Sequence, residues 1–219
     1  MRSTSQKLKN TWEKNNPYHN FTNMKKIYIA IVGLVLCSQT NAQEFAKQMT
    51  EAKTAYATGK LDDARFAMQQ MLQEIDIITG KEVLKILPAR MEDKAVNTKE
   101  DNVTGSSGFF GVIIHREYGT VDSTNINLEI ISNSPMIGTL NALLSMPFMG
   151  NTGDQKIIKI NGYKALVQKV TGANDKPDYE LQLPLNNSLI TLKAPGYSQD
   201  QVVKMANTLP IADIAKMLQ

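Results

Sequence analysis

The chain is poor in the residues that catalysis and metal binding most often use: among 219 residues it has one cysteine (Cys37), one tryptophan (Trp12) and two histidines (His19 and His115). A single cysteine excludes an internal disulfide framework. With so few soft or imidazole ligands, any metal site must be built from carboxylates. There is no H-E-x-x-H pair and no EF-hand loop. Long apolar runs are also missing. The longest, Ile27 to Cys37, ends at Ser38 and is followed by Gln39, Thr40 and Asn41, well short of the roughly 20 residues that a spanning helix needs.

That run has a different logic. Lys25 and Lys26 precede it, and Thr40-Asn41-Ala42 follows, so Met24 to Ala42 reads as a secretory signal peptide with cleavage between Ala42 and Gln43. The expected location is secreted or periplasmic, with membrane contact only through the signal segment before cleavage. The alternative is a chain anchored in the membrane through residues 27–42. A lipoprotein attached at Cys37 is disfavoured by the bulky Leu36 before it. Because Met24 opens a complete signal by itself, residues 1–23 read as a non-native extension ahead of the true start.

Removing the leader changes the electrostatic reading. It takes Arg2, Lys7, Lys9, Lys14, Lys25, Lys26 and Glu13, leaving 18 basic against 20 acidic residues, a net charge of −2 in place of +3. The basic excess needed for a nucleic-acid partner goes with it. So do the cysteine, the tryptophan and His19.

From Glu44 to Ile78 the apolar spacing is helical, with Phe45, Met49, Ala52 and Tyr56 on one stripe and Ala64, Ala67, Met68, Met71, Leu72 and Ile75 on another, separated at Gly59. Residues 43–88 therefore read as a helical hairpin. Gly80 is expected to open a further short helix that Pro88 stops. Charged, then Asn/Thr/Ser/Gly-rich, the stretch 89–107 reads as a linker.

From Gly108 the period becomes two. Phe110, Val112, Ile114 and Arg116 alternate with Phe109, Gly111, Ile113 and His115, and Ile126, Leu128 and Ile130 share a face in the next strand. Asn161-Gly162 predicts a tight hairpin turn. Turn signals at Gly172 to Pro177 and at Asn186-Asn187 bound the strands Tyr179 to Leu185 and Ser188 to Ala194. Ser198 caps a helix, and Pro210 starts the last one. The expected fold is α+β: an N-terminal helical hairpin, then an α+β domain over 108–219 in which an antiparallel meander carries helices on one face.

Between the second and third strands, residues 134–150 are the most apolar stretch outside the leader. Met136, Leu140, Leu143, Leu144, Met146, Phe148 and Met149 form a candidate apolar binding surface, since methionine suits variable apolar shapes. The competing reading is a helix packed over the sheet.

Catalytic candidates are few. Gly105 to Gly111 lacks the Gly-Lys-Ser/Thr ending of a phosphate loop and the spacing of a serine-hydrolase elbow. In His115-Arg116-Glu117, alternation lets His115 and Glu117 share a face while Arg116 points away. The pairs Asp62-Asp63, Glu92-Asp93 and Glu100-Asp101 read as solvated charge. Asp122-Ser123-Thr124 resembles a short O-glycosylation acceptor of exported bacterial proteins.

The pattern Ala55-Tyr56-x-x-Gly59 with Ala64, Met68 and Leu72 resembles one tetratricopeptide-type hairpin, which implies that it packs on a neighbouring domain or chain. Leu87-Pro88, Ser107 to Gly111, Tyr118, Ser134-Pro135-Met136 and Asn161 to Ala165 together resemble a family of uncharacterised exported bacterial proteins, from about Leu87 to Leu218. The family's characteristic tryptophan after the Leu-Pro step is missing here. The resemblance implies export and a compact α+β domain, and no established activity. The closing order of strand, Gly196-Tyr197-Ser198 and helix is similar to small binding domains of the photosystem-accessory type, a likeness of fold only. The expected function is an exported, non-enzymatic binding or interaction protein of the bacterial envelope, needing no cofactor. Its partner is a protein or an apolar small molecule. Alternatives are a carrier or sensor of an apolar ligand using residues 134–150, and a hydrolase of unknown specificity, for which His115 is the residue to test.

Overall fold

The computed structural model describes residues 39–105, 111–120, 125–133, 136–145, 151–172 and 177–219. Residues 1–38, which hold most of the expected leader with Cys37, residues 106–110, Asp122-Ser123-Thr124, Ser134-Pro135 and residues 146–150 lie outside them, while the last four residues of that leader fall in the first helix.

Helices α1 (Gln39–Ala57) and α2 (Leu61–Ile86) form an antiparallel pair. The turn between them rests on Gly59, whose φ of +73° is one that glycine adopts without steric cost. Ala52 on α1 and Ala64 and Ala67 on α2 are buried, and side chains this small let the two backbones approach closely. The separate helix expected at Gly80 is not formed; α2 runs through it. The reason is packing. A Cβ on Gly80 would lie 2.6 Å from Val103 Cγ1 and 2.9 Å from Val112 Cγ2, so the glycine is where the helix presses onto the sheet, not where it starts.

The stretch expected as a linker is also corrected. Strands β1 (Arg90–Met91) and β2 (Lys94–Ala95) form a minimal hairpin, and β3 (Asn102–Gly105) is an edge strand of the main sheet. Met91 is wholly buried in the core, and Val96 bridges to Tyr118.

The main sheet continues with β4 (Val112–Tyr118), β5 (Ile126–Ser132), β6 (Asn151–Thr152), β7 (Gln155–Ile160), β8 (Tyr163–Thr171), β9 (Pro177–Pro184) and β10 (Ser188–Ala194). Its order is β3-β4-β5-β10-β9-β8-β7-β6, antiparallel at every pairing. Asn161 and Gly162 have φ of +48° and +89° and pair Ile160 with Tyr163, the two-residue turn expected from Asn-Gly.

Alternation puts Ile114, Tyr118, Ile126, Leu128, Ile130, Val167, Leu181, Leu183, Ile190 and Leu192 on one face, where they meet α2, α4 (Gln199–Asn207) and α5 (Ile211–Met217) through Val83, Val202, Met205, Ile211 and Ile214. Helix α4 starts at a complete capping box: Gln201 N–H donates to the Ser198 hydroxyl, and the Gln201 side chain accepts from Ser198 N–H. The fold is thus α+β, a helical pair followed by an antiparallel sheet with helices. One short helix, α3 (Met136–Ser145), lies on the opposite face, with Leu140 and Leu144 against Leu166 and Leu189. Among the described residues no helix is long and apolar enough to cross a membrane.

Candidate functional site

The polar clusters fall on different parts of this frame. On β4, Arg116 faces the core and His115 and Glu117 face the other way, as the period of two requires. The Arg116 guanidinium donates to both carboxylate oxygens of Asp101, through Nε at 2.8 Å and Nη2 at 2.6 Å, and through Nη1 to the Leu87 carbonyl at 3.4 Å. Burial alone lowers an arginine's pKa, but the bonds and charge of Asp101 outweigh it and the net shift is upward. Tyr118 is fully buried beside the guanidinium, yet its hydroxyl makes no hydrogen bond. Burial pushes that phenol up to about 12 against the opposing pull of Arg116.

Of the acidic pairs expected as solvated charge, Glu92, Asp93 and Asp101 in fact fasten segments together, while Glu100 is exposed as expected. Glu92 pairs with Lys204 at 3.1 Å, and Asp93 accepts from the Tyr197 hydroxyl at 2.6 Å, so the β1–β2 hairpin is tied to α4 and its cap. That bond holds the Asp93 carboxyl below its usual range, while burial, followed by Asp93, pushes Tyr197 up to about 12. Their long sequence separations left no local signal. An arginine at an inward position of β4 is the one local sign that could have led to the Arg116–Asp101 pair.

His115 sits across the strand pair from Glu129 and 3.9 Å from Glu117 Oε1, on an open, mostly polar sheet face with Asn127, Thr191 and Lys193. No hydroxyl or thiol nucleophile is held against its ring by any hydrogen bond among the described residues, and no group of three His, Cys, Asp or Glu there is placed to hold a metal. Of the candidate apolar surface at 134–150, Leu140 and Leu144 are spent on packing against the sheet, Leu143 is half-buried with them, and Met136 is exposed. Met146, Phe148 and Met149 lie outside the described residues.

A larger apolar surface lies on the hairpin. Met49, Tyr56, Leu61, Met68, Leu72 and Ile75 are each between 48 and 67% exposed. With about 3.6 residues per turn, Met49 and Tyr56 fall on one stripe of α1, and Leu61, Met68, Leu72 and Ile75 on one stripe of α2. Each stripe is advanced, in the screw sense of its helix, past the buried alanines of the helix contact. In an antiparallel pair, positions displaced alike from the contact line fall on the same side, so the six side chains make one face. The sheet meets α2 elsewhere, through Gly80, Gln73 and Ile77. On the far side of the hairpin, Thr54, Lys60, Asp63 and Phe66 line a groove of about 550 Å³.

This face was half legible beforehand. Its spacing was seen as two helical stripes, but nothing local told which apolar positions the partner helix or the sheet would leave uncovered. No family model, curated protein or solved structure matches the chain.

Proposed function

We propose that this is an exported binding protein of the bacterial envelope that acts through the outer face of its helical hairpin, without catalysis. The observation that carries the reading is the row Met49, Tyr56, Leu61, Met68, Leu72 and Ile75, six of the large apolar side chains left exposed among the described residues and all on one side of the hairpin. Contiguous apolar patches of this kind, bordered by polar residues, mark interaction sites. Two of the six are methionines, which adapt to the shape they meet. A single helical pair resembling a tetratricopeptide unit fits the same picture, since such units are completed by a neighbour. Export rests on Lys25-Lys26, the short apolar run and Ala42. N-terminal sequencing of the protein recovered from cells tests it: a chain beginning at Gln43 supports cleavage, and one retaining Met24 supports a membrane anchor.

The apolar-carrier reading of residues 134–150 has less behind it, because Leu140 and Leu144 already fill their own contact with the sheet. The binding reading is tested in cells with a photo-crosslinking amino acid at position 72, on the face, or at Glu51, which lines the groove on the far side of the hairpin. Discrete adducts at 72 and none at 51 are expected. Equal, diffuse labelling at both positions overturns the reading.

A further inference from the structure

Two charged residues border the apolar stripe of α2. Arg65 and Asp76 are eleven residues apart, about three full turns, so both fall on the same edge, the one away from α1. About 16 Å separates them along the helix at about 1.5 Å per residue, too far to pair within one chain. Neither makes an ion pair or side-chain hydrogen bond with any described residue. Asp76 is partly buried, and that burial raises its carboxyl pKa, with no cation among the described residues to offset it.

We infer that the hairpin face is covered by a second copy of this chain, α2 lying antiparallel on the partner's α2, so that the two hairpins close a four-helix bundle in which each Arg65 meets the partner's Asp76. The inference rests on the binding reading above and names its partner. A two-fold axis between Gln70 and Met71 sets Arg65 opposite Asp76 twice, on the edge of α2 that runs on to the sheet-facing Gly80 and Val83, while the apolar stripes meet beside them. Such an isologous contact needs a self-complementary patch: apolar in the middle, positive towards one end and negative towards the other. Along this edge of α2, Arg65 stands towards one end, with Asp62 one turn before it, and Asp76 stands towards the other. The six exposed side chains offer roughly 700 Å² per copy, so two copies remove about 1,400 Å² from water, within the usual range for a specific interface. Crossing near 20° with short connections is the usual geometry of such bundles.

The test is sedimentation velocity of the full chain from low to high micromolar concentration, with circular dichroism to confirm folding. Leu72 and Arg65 are exposed, so their replacement leaves the core untouched. A dimer is expected that Leu72→Glu abolishes, that Arg65→Asp or Asp76→Arg weakens by about tenfold or more, and that the double reversal Arg65→Asp/Asp76→Arg restores. Rescue by the double reversal is specific, since the two residues cannot pair within one chain. A monomer throughout overturns the second copy. So does a monomer that floats with phosphatidylglycerol vesicles and loses this in Leu72→Glu, which assigns the face to lipid. A position-72 crosslink to a chain of different mass also overturns self-association while leaving the binding reading standing. A dimer indifferent to Leu72→Glu overturns self-association through this face, and the position-72 crosslink then decides the binding reading.

Discussion

Asp101→Ala is expected to be among the most damaging single changes in the domain, although Asp101 lies in a polar stretch with no helix or strand of its own. The substitution leaves the Arg116 guanidinium, 7% exposed, with the Leu87 carbonyl at 3.4 Å as its remaining acceptor of good geometry and the Tyr118 hydroxyl oxygen beside it. Removing one partner of a fully buried pair costs about 3–5 kcal/mol. The Asp101 side chain is itself 15% exposed, so water can reach part of the vacated space, and about 2–4 kcal/mol is the appropriate range here. Against a total stability of about 5–15 kcal/mol for a typical domain, that is a large share. Arg116→Met removes the buried charge and keeps most of the volume. Its partner, nearer the surface, can hydrate, so about 1–2 kcal/mol is expected. The double variant Asp101→Ala/Arg116→Met should cost little more than Arg116→Met alone, because the stranded charge is gone. Urea unfolding followed by far-ultraviolet circular dichroism at neutral pH yields all three values and their coupling. A loss below about 1 kcal/mol for Asp101→Ala, or costs that simply add, would refute the reasoning.

Gly80→Ala should destabilise by about 1–3 kcal/mol, despite alanine's better helix propensity, because the added methyl meets Val103 and Val112; Val103→Ala should recover part of this, and a neutral Gly80→Ala would contradict the packing of α2. Tyr118→Phe removes a buried hydroxyl without a partner, so unfolding should show a change within about 1 kcal/mol, neutral or stabilising. The folded pKa of Tyr118 is raised to about 12, so the folded state holds the proton longer than the unfolded one. Its stability contribution is therefore full below about pH 10 and is lost as pH rises towards about 12; the urea midpoint should fall across that window, less steeply in Tyr118→Phe. Ser198→Ala should cost about 1 kcal/mol through loss of the α4 cap, and an unchanged midpoint would count against the capping box.

Strands β4, β5 and β7 to β10 and the last two helices were legible because their signals are local. Period-two alternation marked β4 and β5, Asn161-Gly162 marked a turn that only positive φ can make, and Ser198 and Pro210 marked helix starts. What failed were positions whose meaning comes from distant chain. Gly80 reads locally as a break, and only the valines of β3 and β4 show it to be a contact. Met91 and Asp101 sit among polar residues typical of a linker, and their roles depend on a core and an arginine contributed by other segments. The apolar stretch at 134–150 attracted a binding reading because composition cannot tell a surface from a covering helix. The hairpin stripes had the opposite problem. They look like ordinary core periodicity, and only the positions of the sheet and the partner helix leave Leu72 and Met68 outside.

The claim that this outer face is occupied in the working protein can be read directly from methionine oxidation. Met49, Met68 and Met136 are all about half exposed, while Met91 and Met205 are buried. Brief peroxide treatment, with peptide mass spectrometry, should be applied to dilute purified protein and to intact cells. The account predicts that Met136 oxidises in both, Met91 and Met205 in neither, and Met49 and Met68 in dilute protein but not in cells. Oxidation of Met49 and Met68 at the rate of Met136 in cells as well would contradict it.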